Sequence, residues 1–162
     1  MLTRRQLIAG TVAGGAVLAA AVAYGPRPSP DGRDAVIAAI APVMLDGALP
    51  AQGSARQAAL RGVVHGVDRA VEGLTPEAQH ELARLFALLG FPLTRRLLAG
   101  VRDPWPDADP REIEAFLTSW RRHRVAQLRS AYDALHQLTL AAWYGNPVAW
   151  CGIGYPGPPK VG

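Results

Sequence analysis

The chain has 162 residues, a formal charge of +4 and a single cysteine, Cys151, so an internal disulfide framework and a c-type haem attached through Cys-x-x-Cys-His are both excluded. Setting aside Arg4 and Arg5 lowers the charge to +2, and the other basic residues are scattered apart from Arg121, Arg122 and Arg124, which read as a solvated helix face. That balance argues against a nucleic-acid partner, and the length suits one domain plus a leader.

The N-terminus reads as an address. Arg4 and Arg5 are followed by an uncharged run over 7–24 that is rich in Ala and Gly and poor in Leu, and Ala21-Val22-Ala23 offers a small-residue exit. A charged start, an apolar middle and an Ala-x-Ala exit make a signal peptide, predicted over 1–23. Thr3, Arg4, Arg5, Leu7 and Ile8 resemble the twin-arginine (Tat) signal, a route that carries folded cargo. Two alternatives stay open. One is a general secretory signal. The other is an uncleaved anchor, because 18 residues sit near the short limit, roughly 17, for a spanning helix.

Residues 24–34 form a predicted linker, since Pro26, Pro28 and Pro30 fall within five positions. The first helix is expected over 35–45 from the spacing of Val36, Ile37, Ile40 and Val43/Met44, with a kink or boundary at Pro42. Asp46-Gly47-Ala48-Leu49-Pro50 is a turn. A second helix is expected over 54–71, ended by Gly73. Thr75-Pro76-Glu77 is a start signal, with an N-cap, a proline in the first helical position and an acid in the first turn. Leu82, Leu85, Phe86 and Leu89 then share a face up to Gly90-Phe91-Pro92, and a short helix is predicted over 93–98. After a loop at 103–109, Asp109 and Glu112 have the spacing of a capping box and open the longest element, predicted over 110–143, where Arg124 interrupts the apolar stripe and marks either a bend or a face turned to a partner. No segment alternates like a strand. The expectation is an all-α fold, a small bundle of five helices over 35–143.

Residues 144–162 combine Trp150, Tyr144 and Tyr155 with many Gly and Pro residues, a composition that predicts turns and polyproline geometry rather than a regular helix. Such a backbone either wraps its own bundle or docks on another protein. Aromatic residues on a stiff backbone lose little entropy on binding, which marks Trp143, Tyr144, Asn146, Pro147, Trp150, Tyr155, Pro156 and Pro158 as candidate partner-binding residues.

Tyr144-Gly145-Asn146-Pro147, Trp150 and Gly154-Tyr155-Pro156-Gly157-Pro158-Pro159 resemble the C-terminal signature of the gluconate 2-dehydrogenase subunit 3 family. The resemblance covers the leader, the late helix and the tail. It implies a non-catalytic helical small subunit that helps an FAD-dependent flavoprotein of the glucose–methanol–choline class fold, leave the cytoplasm and assemble. FAD would then belong to the partner, a cytochrome c subunit often completes such complexes, and the location implied is the periplasm, with membrane association through the complex or an uncleaved leader.

Chemistry of the chain's own is not evident in the spacing. His65, His80, His123 and His136 form no His pair of ligand spacing. Glu77 and Glu81 share a helix face beside His80 and read as solvated, and Glu112 and Glu114 sit in a first turn, where the helix dipole favours acids. No Gly-x-Gly-x-x-Gly follows a strand. Neither a catalytic group nor a cofactor or metal site is expected in this chain. The alternative to the accessory-subunit reading is an independent periplasmic helical protein that binds a hydrophobic ligand.

Overall fold

The computed structural model describes residues 29–152. Arg4, Arg5, Tyr155, Pro156 and Pro158 lie outside the described residues. The architecture is all-α, with helices α1 (Pro30–Met44), α2 (Gly53–Glu72), α3 (Pro76–Gly90), α4 (Pro110–Arg121), α5 (Ala126–Tyr144) and the short α6 (Pro147–Gly152). Between α3 and α4 run one helical turn (Pro92–Thr94), a π-helical turn (Arg95–Ala99) and a 3-10 turn (Trp105–Asp107). No strand occurs among the described residues.

Four of the six helices start on the same two-residue device, a short polar residue followed by proline. Ser29 Oγ accepts the Gly32 N–H at 3.1 Å, Thr75 Oγ1 that of Ala78 at 3.4 Å, Asp109 Oδ1 that of Arg111 at 2.8 Å and Asn146 Oδ1 that of Val148 at 3.0 Å. The oxygen satisfies one otherwise unpaired first-turn donor, and the proline supplies a helical φ where its missing N–H costs nothing.

This device accounts for two departures from the sequence expectations. Helix α1 begins at Pro30, inside the predicted linker, because Ser29 caps it and Asp31 lies in its first turn. It also runs through Pro42, which falls in the last turn. The segment after Tyr144 is not irregular throughout, since Asn146-Pro147 opens α6. The predicted capping box is half closed. Asp109 caps α4, but Glu112 Oε2 turns away to accept the Arg102 N–H at 3.0 Å and fasten the preceding loop.

The predicted helix over 110–143 is two helices. His123 Nδ1 accepts the Val125 N–H at 3.1 Å and so turns the chain. Arg129 Nη1 then donates to the carbonyls of His123 (2.7 Å) and Arg124 (3.1 Å), oxygens that a continuous helix would have used internally. The hydrophobic stripe carries across this corner, which is why the spacing alone reads as one element. The helices α4 and α5 fold back against each other.

Helix α1 is central and packs on α2, α3, α4, α5 and the Trp105 turn. Its Val36, Ile37, Ile40 and Ala41 are fully buried, and nearly every other side chain along it is at least half-buried. At about 1.5–3 kcal/mol for each large aliphatic side chain removed from water, this helix is the main source of core stability. On α4, Ile113, Phe116, Leu117 and Trp120 recur at i, i+3, i+4 and i+7 and are all buried. Phe116 lies between Trp120, edge-on at 4.8 Å, and Trp105 at 5.9 Å. Trp105 Nε1 donates to the Leu89 carbonyl at 2.8 Å, and Trp120 Nε1 to that of Leu98 at 3.0 Å. The end of α3 is thus closed without a left-handed glycine. Its last carbonyls accept from the Phe91 N–H (3.1 Å, to Ala87), from the Thr94 hydroxyl (to Leu88) and from the Trp105 indole (to Leu89).

Helices α2 and α5 run antiparallel and share the largest helix–helix contact. Gly66 permits the approach, because a Cβ built there would lie 2.8 Å from Ala142 Cβ and 3.0 Å from Ala142 Cα. Gly66→Ala is therefore expected to lose about 1–3 kcal/mol of stability through overpacking. Gly90→Ala, where a new Cβ meets nothing within 4 Å, is expected to gain about 0.4–1 kcal/mol. Urea unfolding should show the two midpoints moving in opposite directions at an unchanged slope.

Candidate functional site

The C-terminal residues divide into supports and surface. Trp143 is 3% exposed and belongs to the core, so it is not an interface anchor; helix α5 turns it inward with Leu135, Leu138 and Ala142. Asn146 is half-buried against α2, and a Cβ added at Gly62 would lie 2.7 Å from its Nδ2. Trp150 is half-buried and its Nε1 donates to the Tyr144 carbonyl at 2.7 Å, while Ala149 packs into the core. These contacts hold α6 onto the last turn of α5. Tyr144 (45% exposed), Pro147 and Val148 (56% exposed) are left facing outward on that anchored corner. Val148 was not among the residues expected from sequence. Its signal is an apolar side chain directly after a cap-proline pair, where the first turn of a helix faces solvent.

A second feature is a groove of about 720 Å³ between α3 and α5. Leu82 and Leu85 form one wall and Ala131, Ala134 and Leu138 the other, and Leu74, at 38% exposure, stands at its rim. Sequence spacing does not disclose the groove. Its α5 wall is built largely of Ala, Ser and Gln, a mixture that makes no continuous apolar stripe.

His65 Nδ1 lies 4.0 Å from the Asp68 carboxylate on the surface, and elsewhere several groups of the kind used in catalysis line a shallow cleft of about 310 Å³ formed by α1, α4 and α5. Tyr132 and His136 stack there with ring centroids 5.6 Å apart, and Glu114 and Arg121 line the opposite side. The i, i+4 spacing of Tyr132 and His136 is legible in sequence; the approach of Glu114 and Arg121 is not, because it depends on the turn at 122–125. Among the described residues, no group of three or more His, Cys, Asp or Glu side chains is placed to hold a metal ion. Gly152, Gly154 and Gly157 have the letters of a dinucleotide-binding loop, but Gly152 ends helix α6, and Gly154 and Gly157 lie outside the described residues.

Arg95 is the one buried cation among the described residues, at 5% exposure. Burial lowers its pKa from the ordinary guanidinium value, and neighbouring Arg96 lowers it further against a raising effect of Asp103. Its Nη2 reaches the Arg102 carbonyl at 3.5 Å, and its Nε has no hydrogen-bond partner. Near it in sequence, Phe91, Leu93 and Leu97 are exposed, as is Arg96.

The chain matches no protein-family model, no curated protein and no solved structure. Among the described residues, no helix is long and apolar enough to cross a membrane.

Trp150→Phe keeps the ring and deletes its N–H, leaving the Tyr144 carbonyl one donor short. Hydrogen exchange over 147–152 is expected to quicken, while global stability falls by only about 0.5–1.5 kcal/mol.

Proposed function

We propose that this chain is the non-catalytic small subunit of a periplasmic FAD-dependent dehydrogenase of the glucose–methanol–choline class, acting as assembly partner and Tat export escort of the flavoprotein. The observation that carries the reading is the pairing of a twin-arginine-type leader (Thr3, Arg4, Arg5, Leu7, Ile8) with the late signature Tyr144-Gly145-Asn146-Pro147. The fold is compatible with it. The signature falls on a corner where Trp150, Ala149 and Asn146 hold the backbone and Tyr144, Pro147 and Val148 face outward. An apolar surface held rigid in advance binds with less ordering cost than a free segment. On this reading Tyr155, Pro156 and Pro158 also take part in partner binding, FAD stays in the partner, and a cytochrome c subunit completes the complex.

Arg4→Lys together with Arg5→Lys is expected to retain both this chain and the flavoprotein in the cytoplasm; continued export of both would point to the general secretory route. Val148→Asp is expected to weaken capture of the flavoprotein by about tenfold or more, since it places a charge in a desolvated contact. Helix content by circular dichroism should be unchanged, because the side chain is exposed. Undiminished co-purification would remove α6 from the interface.

The groove between α3 and α5 favours a second reading, an independent binder of an apolar ligand. That reading expects a stable monomer with no flavoprotein captured by crosslinking in the periplasm.

A further inference from the structure

The walls of the α3–α5 groove have the spacing with which one helix receives another. On α5, Gln127, Ser130, Ala134, Gln137 and Ala141 line it at intervals of 3, 4, 3 and 4 residues. That is the repeat of a helix–helix seam, with Ser130, Ala134 and Ala141 short enough to admit a close neighbour and Gln127 and Gln137 between them. From Gln127 to Ala141 the seam is about 21 Å long at 1.5 Å per residue. No described element fills it.

The described chain starts beside this groove. Ser29, at the head of α1, lines a small cavity together with Leu82, and Leu82 is also a wall of the groove. Immediately upstream is the uncharged run over 7–24, which would span about 27 Å as a helix. Ala9, Ala13, Ala16, Ala20 and Ala23 recur in it at intervals of 4, 3, 4 and 3 residues, the same alternation of threes and fours as the groove-lining row of α5. Residues 25–28 can bridge about 13–14 Å, enough to turn the run back alongside the place where it emerges. An 18-residue apolar run in water carries a large hydration cost, and an apolar groove within reach of its own tether relieves it at high effective concentration.

We propose that, while the leader is attached, residues 7–24 of this same chain lie in the groove between α3 and α5, so that the folded domain sequesters its own apolar leader. The leader becomes available to a membrane or a translocase only by leaving the groove. The inference needs neither the flavoprotein reading nor a particular export route, and its test reads a contact within one chain.

The test uses the full chain carrying Cys151→Ser, purified from cytoplasm with the leader attached. In one protein Ala16→Cys is combined with Ala134→Cys in the groove. In a second, Ala16→Cys is combined with Ala115→Cys on the exposed side of α4. Under mild oxidation the first pair is expected to form an intramolecular disulfide at least about tenfold faster than the second. Equal rates, or bonds formed only between two chains, overturn the proposal; the second result would give the groove to another copy. A leader substitution supplies a readout that cannot be mistaken for a misfolded bundle. Val12→Glu with Ala16→Glu is expected to speed amide exchange over 127–141 by about tenfold, while the core of α2 over 59–67 keeps its protection. Unchanged exchange over 127–141 overturns the proposal as well.

Discussion

The burial of α1 against every other long helix is the contact on which the fold depends. Val36, Ile37, Ile40 and Ala41 meet no solvent, and α2, α3, α4 and α5 are arranged around them. A helix surrounded in this way has no need of a polar face, which is why α1 carries only a weak amphipathic pattern. Its few polar side chains are used as ties. Arg33 reaches across to the Asp68 carboxylate on α2 and lies 3.7 Å from Asp34 on its own helix.

Around that axis, one helix–helix approach is set by a missing side chain and one helix end by aromatic donors. Gly66 lets α2 close onto Ala142 of α5. Trp105 and Trp120 present their rings to Phe116 and their N–H groups to carbonyls that terminate neighbouring elements. Each indole is thus both apolar filler and hydrogen-bond cap, which explains how a chain poor in aromatics anchors the irregular stretch from Phe91 to Asp109.

The exposed corner at Tyr144, Pro147 and Val148 depends on this packing. Trp143, one residue earlier, is wholly committed to the core, so consecutive aromatic residues face opposite ways. Composition marked the whole stretch as sticky; a helix period of 3.6 residues separates the side chains that are available from those that are not. The outward residues would be of little use on a loose tail. The Trp150 indole on the Tyr144 carbonyl and the cap at Asn146 make them part of a rigid end.

The sequence by itself determined the helical class, the starts at Thr75-Pro76 and Asp109-Pro110, the inward face of Leu82, Phe86 and Leu89, and the turn at Gly47, whose φ of 78° lies in the left-handed region. These are local facts. A cap, a proline and a period of 3.6 act over four to seven residues and need no partner. Ser29-Pro30 and Asn146-Pro147 carry the same local signal, hidden by neighbouring prolines and glycines that resemble a linker and a tail. Only the tertiary structure decided that α4 and α5 are separate, that Trp143 is core, and that α3 and α5 leave a groove between them. The core place of Trp143 and the groove rest on elements brought together from distant positions, as when Gly66 meets Ala142, whereas the α4–α5 corner is closed by Arg129 reaching back five and six residues to free carbonyls. Hydrophobic spacing cannot carry such information, because it records which face of a helix is buried and not what it is buried against.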